Sequence, residues 1–228
     1  MAVAAPRGAK HSHNIDVMLD RIREAVRPYP RAALFELADL GFRTPFQLLV
    51  ACIISIRTRD ETTLPVARGL LQRAPDPAAM AALTLDEIGQ AIRSAAFHER
   101  KARSILAIAR RAVEKHGGKL PCDFDVLVSL PGVGPKCANL VLGAACGQPR
   151  ISVDVHVHRV TNRWGYVAAA TPDATLRALE QKLPRRHWTE INRLLVPFGK
   201  HIFTGRLPRC STCPVLEFCH QVGVVRTR

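Results

Sequence analysis

The stretch "LPGVGPKCANLVL", Leu130–Leu142, joins a Gly-x-Gly turn to a helix of small and apolar residues. Gly132 and Gly134 allow a sharp bend in which the backbone can approach a ligand closely, and Pro135 suits the first position of the following helix. Amide groups at a helix start point at whatever lies beyond it, and a phosphate is a natural occupant. The motif is also compatible with an ordinary helix–turn–helix corner, so the rest of the chain must decide.

The segments on both sides of this turn show helical periodicity, interrupted by proline and glycine, and almost no strand pattern. Thr84 and Glu87 form a capping-box pattern at one predicted helix start. We predict helices over residues 15–26, 32–38, 45–55, 60–72, 84–94, 99–115, 123–129, 135–145, 153–164, 172–181 and 188–202. Their short connections favour a single all-α body.

Net charge is the most informative property of the composition. The 228 residues include 33 Lys and Arg against 19 Asp and Glu, for a formal charge of +14. An excess of this size favours a polyanionic partner, most often a nucleic acid. Aromatic residues make up only 5% of the chain, which argues against a binder built on stacking platforms.

No apolar run is long enough for a membrane span, including the longest, residues 47–56. Residues 1–13 are basic and polar and lack the apolar core of a secretory signal. A transit peptide is the alternative for this Ala-rich start, and we expect a disordered basic tail. These features predict a cytoplasmic protein with no membrane partner.

The seven cysteines fall into two groups. Four are scattered among apolar or small neighbours, namely Cys52, Cys122, Cys137 and Cys146. We expect no disulfide framework, and Cys52 and Cys146 in particular are interpreted as buried free thiols. The other three, called here the cysteine trio, are Cys210, Cys213 and Cys219. Their C-x2-C-x5-C spacing points to metal or redox chemistry.

A second motif, "SVDVHVHRV" at Ser152–Val160, follows the glycine turn. In this order the two motifs resemble the helix–hairpin–helix DNA glycosylases of the endonuclease III family. Three more stretches are similar to that family: "LLVACIISIRTRDETT" (Leu48–Thr63), "KARSILAIARRAVEKHGGKLP" (Lys101–Pro121) and "PRCSTCPVLEFC" (Pro208–Cys219). The similarity runs from about Tyr29 onward.

The resemblance implies an all-α, two-lobed glycosylase fold with a C-terminal metal loop. We expect residues 32–131 to form a six-helix lobe that carries a DNA-contacting loop and the first arm of the hairpin. Residues 14–31 and 132–228 would form the second lobe.

The resemblance also implies the catalytic pair. Lys136 falls on the family's catalytic lysine and Asp154 on its catalytic aspartate. A lysine amine can attack the anomeric carbon of a flipped nucleotide, expel the base and form a Schiff base that permits β-elimination. A carboxylate can stabilise the positive charge that develops on the sugar. The structural alternatives are a phosphate contact for Lys136 and a helix N-cap for Asp154.

Arg57 stands where many family members carry a glutamine. An arginine can fill the gap left by an extruded base and hydrogen-bond the unpaired partner, a guanine edge in particular; a phosphate contact or an ion pair with Asp60 is the alternative. The resemblance also implies DNA contacts for the hairpin, for a histidine near the pocket and for the basic C-terminal loop: Gly132, Val133, Gly134, His156, Arg206 and Arg209. His158 has no assigned role, and we expect it to be solvated or to cap a helix.

In this family the C-terminal loop reads C-x6-C-x2-C-x5-C and binds a 4Fe–4S cluster. Counting back from Cys210 places Phe203 at the first cysteine position, and phenylalanine cannot bind iron. Either the cluster persists on the cysteine trio with His201 or an exogenous fourth ligand, or zinc binds the trio and His220, or the metal has been lost. We favour the cluster.

Lys136 implies a bifunctional DNA glycosylase/AP lyase, and the family resemblance implies that it excises oxidised pyrimidines from duplex DNA in base excision repair. We expect a monomer that binds double-stranded DNA carrying a damaged base or an abasic site, in a bacterial cytoplasm at the nucleoid. One alternative is a glycosylase for deaminated or mismatched bases. The other is a non-catalytic helix–hairpin–helix module that binds DNA only through phosphates.

Overall fold

In the computed structural model, which describes residues 10–228, the chain consists of α-helices and 3₁₀ turns with short connections. That range contains no β-strand, so the all-α prediction is confirmed. The α-helices are α1 (Ile15–Val26), α2 (Ala33–Asp39), α3 (Pro45–Ser55), α4 (Asp60–Arg73), α5 (Pro77–Ala81), α6 (Leu85–Ala91), α7 (His98–His116), α8 (Phe124–Val128), α9 (Pro135–Cys146), α10 (Val155–Trp164), α11 (Pro172–Lys182) and α12 (Glu190–His201). The sequence pattern missed only the short α5. None of the helices described is both long and apolar enough to cross a membrane.

The helices group into two compact units. The hairpin unit comprises Ala32–Arg150, and the terminal unit comprises residues 10–31 and Ile151–Arg228. The first boundary lies after residue 31, where it was expected. The second lies after residue 150 and not after residue 131, because α9 packs against α3 inside the hairpin unit.

The hairpin unit is built around α3, whose residues from Leu48 to Ile54 are all buried. A helix that is apolar on every side must be central, and α3 packs against α2, α4, α7 and α9. Its start is fixed by a capping box between Thr44 and Gln47. The end of α3 therefore leads from a rigid core into the connection to α4.

In the terminal unit α12 packs against both α10 and α1. The largest fully buried side chains of this unit include Trp164, Phe198 and Phe203. At the start of α1, Asp16 accepts hydrogen bonds from Arg186 and His187. These two hydrogen bonds hold the pKa of Asp16 below its usual value. Side chains far apart in sequence thus attach α1 to the C-terminal helices.

Residues 10–13, expected to belong to a disordered tail, lie against the C-terminal loop. Lys10 Nζ donates to the carbonyl of Leu216 at 2.9 Å, and His11 N donates to that of Glu217 at 3.1 Å. His13 Nε2 donates to the carbonyl of Trp164 at 3.0 Å. The prediction is therefore wrong for these residues, while residues 1–9 lie outside the described part of the chain.

Two disulfides link helices of the hairpin unit. Cys52 in α3 is paired with Cys137 in α9, and Cys122 with Cys146 at the end of α9, with Cα–Cα distances of 6.2 and 5.9 Å. The expectation of no disulfide framework, with Cys52 and Cys146 as buried free thiols, is wrong. Their apolar neighbours suggested burial, but the pairing depends on how α9 folds back across α3. Both disulfides therefore attach α9 to the remainder of its unit.

Candidate active site

The turn between α8 and α9 requires glycine at one position. Gly132 has φ +81°, in the left-handed region, and a Cβ there would lie 3.2 Å from Ser104 Oγ. Gly134, at the N-cap of α9, has an extended backbone with φ −106° and no side chain to cap the helix. Val133 between them is buried and donates its amide to the carbonyl of Leu130. The positive end of the α9 dipole is thus placed where a phosphate can approach the backbone.

Lys136 is the second residue of α9 and its side chain is exposed. The next residue, Cys137, is buried and bonded to Cys52 of α3. The lysine is therefore carried on a helix start whose position is fixed by the core beneath it. An exposed amine on a fixed backbone, next to a turn whose shape suits a phosphate, has the chemistry for attack on a nucleotide.

Asp154 is the N-cap of α10 in the terminal unit. Its Oδ1 accepts hydrogen bonds from the amides of His156 at 3.0 Å and Val157 at 2.9 Å. The carboxylate is half-buried, and Val155 beside it is exposed. Asp154 therefore caps α10, as its structural alternative predicted. Because both hydrogen bonds use Oδ1, capping is compatible with a second role for Oδ2.

Arg57 lies in the connection between α3 and α4, residues 56–59, called here the Arg57 loop. Its backbone is left-handed, with φ +53°, and its guanidinium lies over the ring of Phe97 at 5.7 Å. Phe97 also has a left-handed backbone, with φ +58°, and is 60% exposed. Arg57 and Phe97 contact each other, and both are non-glycine residues with a left-handed backbone. Such backbone strain costs free energy and is often found at functional sites. A pocket of about 330 Å³ opens here, lined in part by Arg57, Phe97, Lys101 and Gly132.

Lys101 hydrogen-bonds the Arg57 loop and the end of α3 from the buried side. Its side chain is 5% exposed, and Nζ donates to the carbonyls of Ile54 and Ile56 at 2.7 Å each and to Thr58 Oγ1 at 2.9 Å. Burial lowers the pKa of this lysine to about 8. The sequence interpretation missed Lys101, although one signal was present: it occupies the same apolar stripe of α7 as Ile105.

Two histidines of α10 have different surroundings. Arg159 Nη2 donates to His156 Nδ1 at 3.1 Å and to the carbonyl of Gly199 at 2.8 Å, so the imidazole is held by a partly buried arginine. His158 Nδ1 is hydrogen-bonded to Thr175 Oγ1 of α11 at 2.7 Å. The expectation that His158 is solvated or caps a helix is wrong, because it joins α10 to α11.

The basic C-terminal loop presents Arg206 and Arg209 at the surface. Arg206 lines a shallow pocket of about 220 Å³ together with Arg163 and Arg226. Three guanidinium groups around one depression favour an anion such as a phosphate.

The cysteine trio lies in the same loop. Cys210 and Cys219 are buried, and Cys213 is partly exposed. Burial raises the pKa of Cys213 to about 12 and that of Cys219 to about 11. Between residues 10 and 228, no group of three or more His, Cys, Asp or Glu side chains is arranged to hold a metal ion.

Comparisons with known proteins agree with this geometry. The family model of the HhH-GPD superfamily base excision DNA repair proteins matches residues 50–185. This chain therefore belongs to that superfamily.

Endonuclease III of Thermotoga maritima is 36% identical over 197 residues, which cover 86% of this chain and 89% of the relative. Endonuclease III of Escherichia coli is 32% identical over 202 residues, covering 89% and 92%. The chain is thus a member of the endonuclease III family, and it is a DNA glycosylase with AP lyase activity in base excision repair.

Two solved structures, a trapped endonuclease III–DNA covalent intermediate with an estranged adenine and a non-covalent endonuclease III–DNA complex, align with TM-scores of 0.78 and 0.79 at 31% identity. Each alignment covers 91% of this chain and 94% of the other. A thermostable thymine-DNA glycosylase at 20% identity and TM-score 0.78 shares the fold. The predicted family and fold are confirmed.

The endonuclease III family generally binds a 4Fe–4S cluster, and the residues of this chain do not fit one. The ring of Phe203 occupies the first ligand position and is buried against Phe198. The predicted fourth ligand, His201, stacks on Tyr29 with ring centroids 4.4 Å apart and is not grouped with the cysteine trio. We therefore derive no catalytic step through a metal.

Proposed function

We propose that this glycosylase/AP lyase excises oxidised pyrimidines from duplex DNA, with Lys136 as nucleophile and Asp154 as its acidic partner. The observation that carries the proposal is the exposed lysine at the second position of α9, directly after a glycine turn suited to a phosphate. A monofunctional glycosylase needs no amine at that position, so the lysine favours combined base removal and strand cleavage.

In the proposed reaction the uncharged amine of Lys136 attacks C1′ of the flipped nucleotide. The C1′–N bond breaks, and the base leaves with the bonding electrons and takes up a proton. The C1′–O4′ bond then opens as nitrogen forms an imine with C1′. Removal of a proton from C2′ drives departure of the 3′-phosphate, and water releases the lysine by hydrolysing the imine. Atoms and charges balance with water as the only co-reactant.

Asp154 contributes in two ways. Its ionised carboxylate stabilises the positive charge that builds on the sugar as the base departs, and Oδ2 can accept a proton during the later steps. The bonds that the amides of His156 and Val157 donate to Oδ1 fix the orientation of the carboxylate. Orientation before the reaction is what makes such electrostatic stabilisation effective.

The DNA strand is held by three segments. The backbone of Gly132, Val133 and Gly134 binds a phosphate at the start of α9. His156 lies near the flipped nucleotide, and the basic loop with Arg206 and Arg209 adds sequence-independent attraction to phosphates. Attraction of these segments to phosphates agrees with the net charge of +14.

Arg57 occupies the space left in the duplex and contacts the unpaired base. Its guanidinium is held over Phe97, and guanine offers the O6 and N7 acceptors that arginine binds with two hydrogen bonds. We therefore assign to Arg57 a preference for lesions opposite guanine.

Borohydride trapping tests the nucleophile. The wild type should form a covalent complex with a duplex that contains an abasic site, and Lys136→Gln should form none while it still binds the duplex. Undiminished trapping by Lys136→Gln would rule out the assigned nucleophile. Lys200→Gln, a lysine outside the hairpin unit, serves as the matched control.

A panel of single-lesion duplexes tests the substrate. Thymine glycol opposite guanine should be excised faster than uracil or a mismatched thymine in the same sequence. Faster excision of the deaminated or mismatched base would replace the proposed substrate class. Binding without any strand cleavage would leave only a DNA-binding module.

A further inference from the structure

We propose that the C-terminal loop of this enzyme folds and functions without an iron–sulfur cluster, and that packing of Phe203 replaces the structural role of the missing ligand. The proposal does not depend on the substrate or on the assignment of Lys136. It concerns only the terminal unit.

Phe203 is part of the aromatic core and is 1% exposed. Its ring stacks on Phe198 with centroids 5.6 Å apart and planes at 23°, and the guanidinium of Arg163 lies 6.0 Å from its centroid. Its amide donates to the carbonyl of Phe198 at 2.8 Å. A side chain that cannot bind a metal thus stands at the position of a ligand and contributes packing.

Hydrogen bonds within the protein hold the segment between Phe203 and the cysteine trio. Arg163 donates to the carbonyls of Thr204 at 3.1 Å and Gly205 at 2.7 Å. Thr204 Oγ1 donates to the carbonyl of Leu207 at 2.7 Å. These hydrogen bonds from side chains to backbone carbonyls fix the basic loop and do not require a metal.

The second half of the loop is held from the N-terminal side of the chain. Arg21 of α1 donates to the carbonyl of Pro214 at 3.1 Å and forms an ion pair with Glu217. Lys10 and His11 hydrogen-bond the carbonyls of Leu216 and Glu217. The loop is therefore attached on both sides to the helices of the terminal unit.

The sulfur of Cys219 contacts the backbone of the terminal unit. Its Sγ lies 3.6 Å from the carbonyl oxygen of Arg163 and accepts the amide of Gln221 at 3.4 Å. Buried neutral cysteines behave as small apolar residues, and that is the role the cysteine trio takes here.

Neither nearby histidine is positioned to complete a ligand set. The ring of His201 stacks on Tyr29 with an interplanar angle of 3°. The exposed His220 lies beside His13, with ring centroids 4.8 Å apart and planes tilted by 35°. Within residues 10–228 neither imidazole forms a metal-holding group with the cysteine trio, so neither the iron nor the zinc alternative gains a fourth protein ligand.

The experiment is a metal analysis of the full chain expressed with excess iron and purified without oxygen. Iron, zinc and acid-labile sulfide are measured per chain, together with visible absorbance, next to a family relative that retains all four cysteines. We expect the relative to bind a cluster and this chain to hold substoichiometric metal. Stoichiometric zinc, or iron with sulfide, in the wild type would overturn the proposal.

Variants separate the role of Phe203 from that of the thiols. Cys213→Ser should retain wild-type melting temperature and borohydride trapping, since a serine of similar size fills the position of that partly exposed thiol and no metal bond is lost. Phe203→Cys restores the four-cysteine spacing and should acquire iron and sulfide after reconstitution, whereas Phe203→Leu should not. A loss of melting temperature in Cys213→Ser would overturn the proposal, and Phe203→Cys that stays iron-free would overturn the role given to Phe203. The wild-type metal content decides the main point even if Phe203→Cys does not fold.

Discussion

Lys101 Nζ donates a hydrogen bond to the carbonyl oxygen of Ile56 at 2.7 Å, one residue before the left-handed Arg57. Two more bonds reach the carbonyl of Ile54 and the hydroxyl of Thr58, which itself accepts the amide of Ala96 next to Phe97. One buried lysine side chain thus connects the two segments that carry Arg57 and Phe97, which line the same pocket.

Lys101→Met tests this connection. The substitution keeps an apolar stem and removes all three hydrogen bonds, so the Arg57 loop is no longer fixed before DNA binds. We expect affinity for a lesion duplex to fall about tenfold, or ~1.4 kcal/mol. The preference for guanine opposite the lesion should decrease in the same titrations.

Lys115→Met is the matched control, because Lys115 is an exposed lysine at the other end of α7. It removes the same charge from the same helix. If both variants lose affinity equally, the effect of Lys101 is electrostatic and the positioning role is wrong.

The same lysine gives a pH dependence of stability. Its pKa is about 8 in the folded chain against an ordinary 10.5, because burial disfavours the ammonium. Below the folded pKa both states are protonated, and the cost of burying the charge is fully present. As pH rises from about 8 towards about 10.5 the unfolded state binds more protons, so this group makes the free energy of unfolding rise.

Urea unfolding of the wild type and of Lys101→Met across this interval isolates the effect. The stability of the wild type relative to the variant should increase with pH. A difference between the two that stays constant with pH would contradict the lowered pKa.

Gly132→Ala should destabilise the hairpin unit. The backbone at this position has φ +81°, and the new methyl group would lie 3.2 Å from Ser104 Oγ. A left-handed alanine costs roughly 1–2 kcal/mol, and we expect the free energy of unfolding to fall by at least that. DNA binding should weaken as well, because the turn that offers its amides would shift.

Gly134→Ala is the control for stability. A Cβ there has no neighbour within 4 Å, and φ is −106°. Because alanine is a poorer N-cap than glycine, its free energy of unfolding should fall by less than ~1 kcal/mol, and by less than that of Gly132→Ala. Equal destabilisation by the two substitutions would mean that the left-handed backbone is not the cause.

The disulfide between Cys122 and Cys146 closes a loop with a sequence separation of 24 around α8 and the glycine turn. Replacing both cysteines by serine should lower the free energy of unfolding by about 2–4 kcal/mol under non-reducing conditions. Excess reductant also opens the Cys52–Cys137 bond, so in reductant the wild type and the variant should have the same free energy of unfolding. A wild type that is unaffected by reductant would show that the bond does not stabilise the fold.

The order of motifs along the chain was enough to predict the family, the all-α fold and the candidate pair Lys136 and Asp154. Helix starts, helix ends and the glycine turn are local features, and proline, glycine and capping residues mark them in the sequence. The position of Phe203 could also be counted from the cysteine spacing.

What the sequence could not provide depends on contacts between distant segments. Lys101 lies more than forty residues from the carbonyls it binds, and the pairing of Cys52 with Cys137 spans 85 residues. The boundary between the units was misplaced for the same reason, since nothing local to α9 indicates that it packs on α3. Periodicity shows which face of a helix is buried and does not identify its partner.

Asp154 combines a structural and a proposed catalytic role, and Asp154→Asn separates them. Asparagine is as good an N-cap as aspartate, so its side-chain oxygen should keep the bonds from the amides of His156 and Val157. The free energy of unfolding should therefore stay within about 0.5 kcal/mol of the wild type. Because the amide carries no charge and accepts no proton, single-turnover base excision should slow by about 10²–10⁴-fold.

Asp154→Ala provides the comparison, since it removes the cap and the charge together. It should lose a further ~1 kcal/mol of stability and excise the base no faster than Asp154→Asn. Trapping on a preformed abasic site should fall less than base excision in both variants, because Lys136 can form the imine with an open aldehyde once the base is gone. Wild-type excision by Asp154→Asn would reduce Asp154 to a helix cap and leave Lys136 without its acidic partner.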